Sequence, residues 1–247
     1  MSMAEFEFPT EIVELPSQGK LYSKESPLST GKVSLRYMTA ADEDTLTNQS
    51  YIEKGVVVDK LLQSLIVDKS INYGDLLVGD KNALLIAARI LGYGSKYEFE
   101  YIGHKEVVEL AELPQKPLHP DFVKATSNNF TFTCPASGVV LEFKLLTHAD
   151  EQAIEQELRG LRKIRKDNVP ELSTRLKYMI ISVNGITDRK AVRDFVDQKF
   201  LARDSRAFRK YVAEIQPDVD MKFYPEDGPE EGVEIPIGVT FLWPDIE

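Results

Sequence analysis

The chain has 247 residues, 30 Lys and Arg against 40 Asp and Glu for a formal charge of −10, and is 43% hydrophobic. This is the composition of a globular protein with a core to bury, either one large domain or two smaller ones, and its acidity argues against general nucleic-acid binding, which draws on clustered Lys and Arg. No run reaches the roughly 18 apolar residues of a membrane span, no secretory signal is visible at the N-terminus, and Cys134 is the only cysteine, so an intrachain disulfide is excluded and a reducing cytoplasm, or a particle assembled there, is expected.

In chain order, residues 1–32 read as an extended N-terminal arm. Pro9 and Pro16 forbid a helix, and Ser17-Gln-Gly19 marks a turn. Residues 33–102 form a first repeat half. Val33 to Met38 alternates like a strand, Thr39 is placed to cap a helix, and Asp42 stands near the acidic position of a capping box. A second helix runs through Asp59 to Ile66. A third opens at Asp80 and closes at Gly92, and Tyr97-Glu-Phe99 leaves it as a strand.

Residues 103–140 read as a Pro-rich insertion, with Pro114, Pro117 and Pro120, followed by a β-hairpin in which Phe130 to Thr133 turns at Pro135-Ala-Ser-Gly138. Residues 141–247 read as a second repeat half with a C-terminal β-strand. Leu141 to Glu151 repeats Val33 to Glu43 at a constant offset, with Thr147, Ala149, Asp150 and Glu151 over Thr39, Ala41, Asp42 and Glu43. Thr174 to Ile181 then lies over Asp59 to Ile66, and Asp204-Ser-Arg-Ala-Phe208 over Asp80-Lys-Asn-Ala-Leu84. Pro217 closes the helix, and Met221-Lys-Phe223 lies over Tyr97-Glu-Phe99. The expected fold class is α+β and internally duplicated. Its two similar halves each read strand, three helices, strand, with small β-hairpins after each half.

Catalytic patterns are mostly absent. His104, His119 and His148 share no metal-ligand spacing, and no glycine-rich phosphate loop is complete. The carboxylates of Asp42 to Asp44 and Glu226 to Glu231 read as solvated charge. A hydrolase using Cys134 or an acidic cluster is the alternative of another class. Two features suit a protein partner. Arg159, Arg162, Lys163, Arg165 and Lys166 close a helix, where they offset its dipole, meet an acidic protein partner or contact nucleic acid. Phe241 and Trp243 lie on the last strand, Val233 to Pro244, which Pro236 confines to an edge. That edge is a docking strand, or Trp243 fills the core of the second half.

Leu15-Pro-Ser-Gln-Gly-Lys-Leu-Tyr22, Met38-Thr-Ala-Ala-Asp-Glu43, Gly92-Tyr-Gly94, Asp204-Ser-Arg-Ala-Phe208, Pro217-Asp-Val-Asp220 and Ile235 to Pro244, taken in this order, give the chain a likeness to a known family. It resembles the baseplate hub and hub-assembly proteins of T-even-like contractile-tailed bacteriophages, from about residue 8 to residue 244. The resemblance implies a non-enzymatic protein that binds other tail and baseplate hub proteins, or the tape measure protein as an assembly chaperone. It implies residence in the host cytoplasm during assembly and, for a component rather than a chaperone absent from the mature virion, in the tail baseplate, with no nucleic acid, membrane or cofactor. Relatives often carry paired cysteines suited to zinc after each half. Here Cys134 stands alone and Tyr224 to Gly232 has no cysteine, so no structural metal is expected. In its place, apolar packing through Phe130, Phe132, Phe223 and Phe241 is expected to hold these strands.

Overall fold

The computed structural model describes residues 9–164, 169–225, 228, 229, 231–237 and 239–242. Helices and small antiparallel sheets alternate along the chain. Strand β1 (Thr10–Glu14) pairs with β2 (Lys32–Arg36), Val13 opposite Val33, and the Leu15 N–H donates to the Gly31 carbonyl at 2.8 Å. The segment read as an arm is therefore one side of a hairpin, and a boundary at residue 32 would cut it. Its turn needs glycine at position 19, where φ is +78° and a Cβ would stand 2.3 Å from the Ser29 carbonyl oxygen.

After β2 come α1 (Ala40–Leu46), α2 (Gln49–Lys54), α3 (Val57–Leu65) and α4 (Val78–Tyr93), then the hairpin β3 (Lys96–Tyr101) and β4 (His104–Glu109). The short helix α5 (Pro120–Lys124) lies in the insertion. In the second part, β5 (Phe130–Thr133), β6 (Val140–Phe143) and β7 (Ile180–Val183) form one antiparallel sheet. Between β6 and β7 run α6 (His148–Ile164) and α7 (Glu171–Met179). They are followed by α8 (Arg189–Gln198), α9 (Ala202–Ile215), the two-residue strands β8 (Lys222–Phe223) and β9 (Val233–Glu234), and α10 (Val239–Leu242).

Three expectations need correction. Each half has four described helices between its flanking strands, not three. In the first half the extra helix is α2, capped by the Asn48 side chain and ended by Gly55 in the left-handed conformation; it buries no residue, so it leaves no apolar period to read. In the second it is α8, which starts on the Asp188 side chain. Second, α4 runs through Gly92 and ends at Gly94. Gly92 makes room for Met38, whose sulfur would lie 2.6 Å from an added Cβ. Third, the C-terminal strand stops at Glu234, and Val239–Leu242, expected to continue it, form the helix α10.

Two main cores result. The first gathers Leu28, Leu35, Leu61, Leu62, Leu84, Tyr97 and Phe99, and it is completed by Val219, Ile235, Phe241 and Leu242 from the end of the chain. The second gathers Phe130, Leu141, Phe143, Phe208 and Val212 around Phe122 of α5. Phe241 is thus a core residue of the first half, 1% exposed, and not part of a docking edge. Phe130 is buried and Phe132 packs on Phe208, while Phe223 lies against Phe99.

The two threonines sit in parallel settings. Thr39 Oγ1 donates to Asp42 at 2.9 Å; Thr147 Oγ1 donates to Asp150 at 3.1 Å and accepts from the Asp150 N–H at 3.4 Å. Thr39→Ala and Thr147→Ala are each expected to cost about 0.5–2 kcal/mol. With no shared partner, the two losses should add within about 0.3–0.5 kcal/mol. Urea denaturation of the single and double variants checks this, and a strongly non-additive double variant contradicts it.

Candidate functional site at the junction of the two halves

Several carboxylates fasten neighbouring elements to one another. Asp42 accepts from Arg36 Nη1 and Nη2 at 2.7 and 2.8 Å, from the Thr39 N–H at 2.9 Å and from Ser64 Oγ at 2.9 Å. In the first turn of α6, Asp150 accepts from Lys144 Nζ at 2.7 and 2.8 Å and from the Thr147 N–H at 3.1 Å. A second pair ties each hairpin turn to a helix start. Asp80 accepts from the Ser17 N–H (2.9 Å), Ser17 Oγ (2.6 Å) and Tyr22 Oη (2.5 Å). Asp204 accepts from the backbone N–H groups of Ala136 (2.7 Å) and Ser137 (3.1 Å). Tyr22 Oη accepts in turn from the Leu77 N–H at 2.9 Å, so the first hairpin is pinned to both ends of the turn into α4.

The halves meet just before α4 and α6. The Val78 N–H donates to the Leu146 carbonyl at 3.3 Å and the His148 N–H to the Leu76 carbonyl at 2.8 Å, a short antiparallel bridge. Asn82 Nδ2 reaches Asp218 at 3.1 Å on the other side of α4. Against this bridge sits a charged cluster drawn from both halves: Asp59 of α3, Tyr73, Lys81 of α4 and His148 of α6. Lys81 Nζ is 2.7 Å from Asp59 Oδ1 and 3.2 Å from His148 Nδ1. His148 Nε2 stands 3.3 Å from Asp59 Oδ2, off the line of an aligned hydrogen bond. An ammonium can only donate, so His148 Nδ1 accepts and the ring proton belongs on Nε2, facing Asp59. Tyr73 donates to Asp59 at 3.2 Å and meets the His148 ring edge-on at 4.6 Å.

His148, 3% exposed, is the wall between two surface cavities. One, of about 560 Å³, is lined by Gln63, Ile71, Asn72 and Tyr73; the other, of about 440 Å³, by Lys54, Asp59, Lys81, Glu151, Glu155 and Arg159. The second mixes both signs of charge, and Arg159 donates across it to the Lys54 carbonyl at 2.7 Å. This arrangement fastens the halves together. Its acid and ammonium groups pair at the wall of the second cavity, while His148 Nε2 has no aligned hydrogen-bond partner among the described residues.

Burial works against ionisation of Asp59, but His148 and Lys81 outweigh it and bring its carboxyl down to about 2. Asp42 is held below the ordinary carboxylate range in the same way, burial being overcome by Arg36, Thr39 and Ser64. Each therefore binds a proton more weakly folded than unfolded. The stability it adds is complete above the unfolded value near pH 4 and is lost as pH falls through the folded value. Asp80 and Asp218 are pushed up by burial and pull the other way. Denaturation midpoints should fall between about pH 4 and pH 2, and Asp59→Asn should flatten that fall. An unchanged acid limb in the variant contradicts the assignment.

The sequence-derived site residues are dispersed. Arg162 pairs with Glu155 and Glu171, and Lys163 is exposed at the end of α6. Arg165, Lys166 and Trp243 lie outside the described residues, as do Glu226, Asp227 and Glu230 of the acidic C-terminal run. Cys134 is buried and its thiol is pushed up by burial and by the charge of Asp204, which disfavours the thiolate a nucleophile requires. His119 turns to Asp121 and Tyr211, and His148 to the junction. Among the described residues no group of three or more His, Cys, Asp or Glu is placed to hold a metal ion. None of the described helices is long and apolar enough to cross a membrane. The junction cluster had no local signal; its one trace is that His148 stands where the first half has Ala40. Compared with protein-family models, curated proteins and solved structures, the chain finds no match.

Proposed function

We propose that the chain is a non-enzymatic bacteriophage tail baseplate protein, acting in the central hub or in its assembly by binding other tail proteins. The observation that carries this reading is where the motif residues of the resemblance sit. Leu15 is buried in the first core, Ser17 and Tyr22 hold Asp80, and Gly19 makes the turn that its neighbours leave no room to change. Asp204, of the Asp204-Ser-Arg-Ala-Phe208 motif, does the same work for the β5–β6 hairpin. Residues that build a framework agree with a scaffold that presents its surfaces to partners. The framework also favours an internally duplicated fold, since the Arg36–Asp42 and Lys144–Asp150 pairs and the Asp80 and Asp204 fastenings recur in the same order.

Co-expression with the hub and tape measure proteins of a contractile tail, followed by affinity capture, tests the function. Stoichiometric co-purification with a hub subunit supports it, and capture of none of them sinks it. Mass spectrometry of finished tails then separates a component, present in fixed ratio, from an assembly factor that has left. Duplication is checked by hydrogen exchange: Asp80→Ala should release only the β1–β2 hairpin and Asp204→Ala only β5–β6.

A further inference from the structure

Helix α9 packs Asp204, Ser205, Phe208, Val212 and Ile215 inward and leaves Ala202, Arg203, Arg206, Arg209, Lys210, Ala213 and Glu214 exposed. At about 3.6 residues per turn the four cations fall within about 120° of the helix circumference, in a row from the first turn to the third. Glu214, 3.8 Å from Lys210, is the one exposed acid of the helix. Arg203 lends charge to the buried Asp204, whose oxygens are taken by the Ala136 and Ser137 N–H groups. Arg203, Arg206 and Arg209 form no ion pair with a described residue. Elsewhere the described arginines lie against carboxylates: Arg36 on Asp42, Arg159 and Arg162 on Glu155, Arg175 on Glu151, Arg193 on Glu157. The exceptions are Arg189 and the buried Arg89, which donates to the Gly94 and Lys96 carbonyls.

Helix stability does not account for this row. Arg203 stands in the first turn, where the positive end of the helix dipole disfavours a cation. Like charges three and four residues apart repel, as Arg203 does Arg206, and Arg206 both Arg209 and Lys210. Within the chain little offsets that cost; an anion from outside would. We infer that the exposed face of α9 is a docking surface for a carboxylate-rich helical segment of a partner protein. A guanidinium takes a carboxylate through two parallel N–H donors, and three of the four cations are arginine. Their three- and four-residue spacing is the one at which a helix bearing Glu or Asp presents its own side chains. Nucleic acid fits less well. From Arg203 to Lys210 the row is about 10 Å long, which spans few phosphates, and a duplex would run on from it past Glu214 over a chain of charge −10. Ala202 and Ala213, the apolar residues of the face, are too small to anchor it in a lipid surface. The inference rests on the proposed function only in taking the chain to work by binding.

Fluorescence anisotropy of the full-length protein tests this with a labelled synthetic helix, alanine-rich and carrying Glu at three- and four-residue spacing. Wild type should bind this peptide and not its Gln counterpart, with affinity falling as salt rises. Arg206→Glu with Arg209→Glu should weaken binding by about tenfold or more. Lys60→Glu with Lys105→Glu makes the same change of net charge on exposed residues of α3 and β4 and should leave affinity within about twofold. Arg206→Gln should weaken binding while Tm holds or rises, because repulsion along the helix is relieved. Equal binding of the Glu and Gln peptides, equal losses in the two double variants, or a fall in Tm that accompanies the loss in Arg206→Gln overturns the proposal. So does a DNA duplex that binds more tightly than the Glu peptide at the same salt and is released by the α9 reversal, since the row then serves phosphates. Hub subunits take no part in this assay. A chain that ignores them but binds the Glu peptide through α9 keeps the surface and loses the tail-protein reading; one that captures them but ignores the peptide does the opposite.

Discussion

Gly79→Ala lowers stability by about 3 kcal/mol, the upper end for forcing extra atoms into a packed site, and it does so by parting the halves. Gly79 is in the first turn of α4, and a Cβ there would stand 1.9 Å from the Pro217 carbonyl oxygen and 2.9 Å from Asp218 Cα. Both are backbone atoms, so no side chain can swing aside. The loop after α9 must back away from α4, taking with it the contact between Asn82 and Asp218 and the pairing of the Lys116 N–H with the Asp218 carbonyl at 2.9 Å. Gly160 is the control. It lies inside α6 with nothing within 4 Å of an added Cβ, and alanine there should stabilise by about 0.5–1 kcal/mol through the better helix propensity. Denaturant midpoints of the two variants should move in opposite directions. A Gly79→Ala protein as stable as wild type would mean that α4 and the Pro217–Asp218 loop are not in contact.

Phe241→Ala is the second large loss, about 3–5 kcal/mol, the range for deleting a buried phenyl ring. The ring is 1% exposed and stands edge-on to Tyr97 at 4.9 Å, while Tyr97 Oη donates to the Pro236 carbonyl at 2.8 Å and holds the chain that leads to it. If Phe241 were a docking residue on a free edge, its removal would weaken capture of a partner and leave the melting temperature unchanged. The structure predicts the reverse order: a large drop in Tm, with hydrogen exchange rising first in α4, β3 and β4 rather than in the sheet β5–β6–β7. Phe122→Ala, which opens the second core, should show the complementary pattern.

The difference between these readings of Phe241 shows what a sequence can carry. Val33 to Met38 and Leu141 to Leu146 alternate because one face of each segment is buried, and the Thr-x-x-Asp that follows declares a helix start by local chemistry alone. Those elements were legible. Val233 to Leu242 has the β-branched and aromatic residues of a strand, yet its end is helical because Phe241 and Leu242 are buried against the first core. Packing overrode propensity there, and packing is a property of the partner surface rather than of the segment. The junction cluster was hidden for the same reason. Asp59, Lys81 and His148 are far apart in the chain, and each reads as an ordinary surface charge until α3, α4 and α6 are docked. The turn at Ile102 and Gly103 between β3 and β4 was equally silent: the dipeptide Ile-Gly does not announce a type I′ turn, and only the backbone, with φ of +49° and +79°, reveals that isoleucine occupies an asparagine's place.

The closure of the first core by α10 also sets a timetable. Synthesis runs at about 5–20 residues per second, so between Leu110 and Leu242 a ribosome spends roughly 7–26 seconds. Throughout that interval the emerging first half holds Leu84, Tyr97 and Phe99 without the ring that covers them. The second half receives Phe122 before its own strands appear and can close as soon as α9 is made. The second core can therefore close before the first, and the nascent first half is an open apolar surface awaiting Phe241 and Leu242. A message truncated just before the Phe241 codon would leave unfinished the half whose own codons were all read.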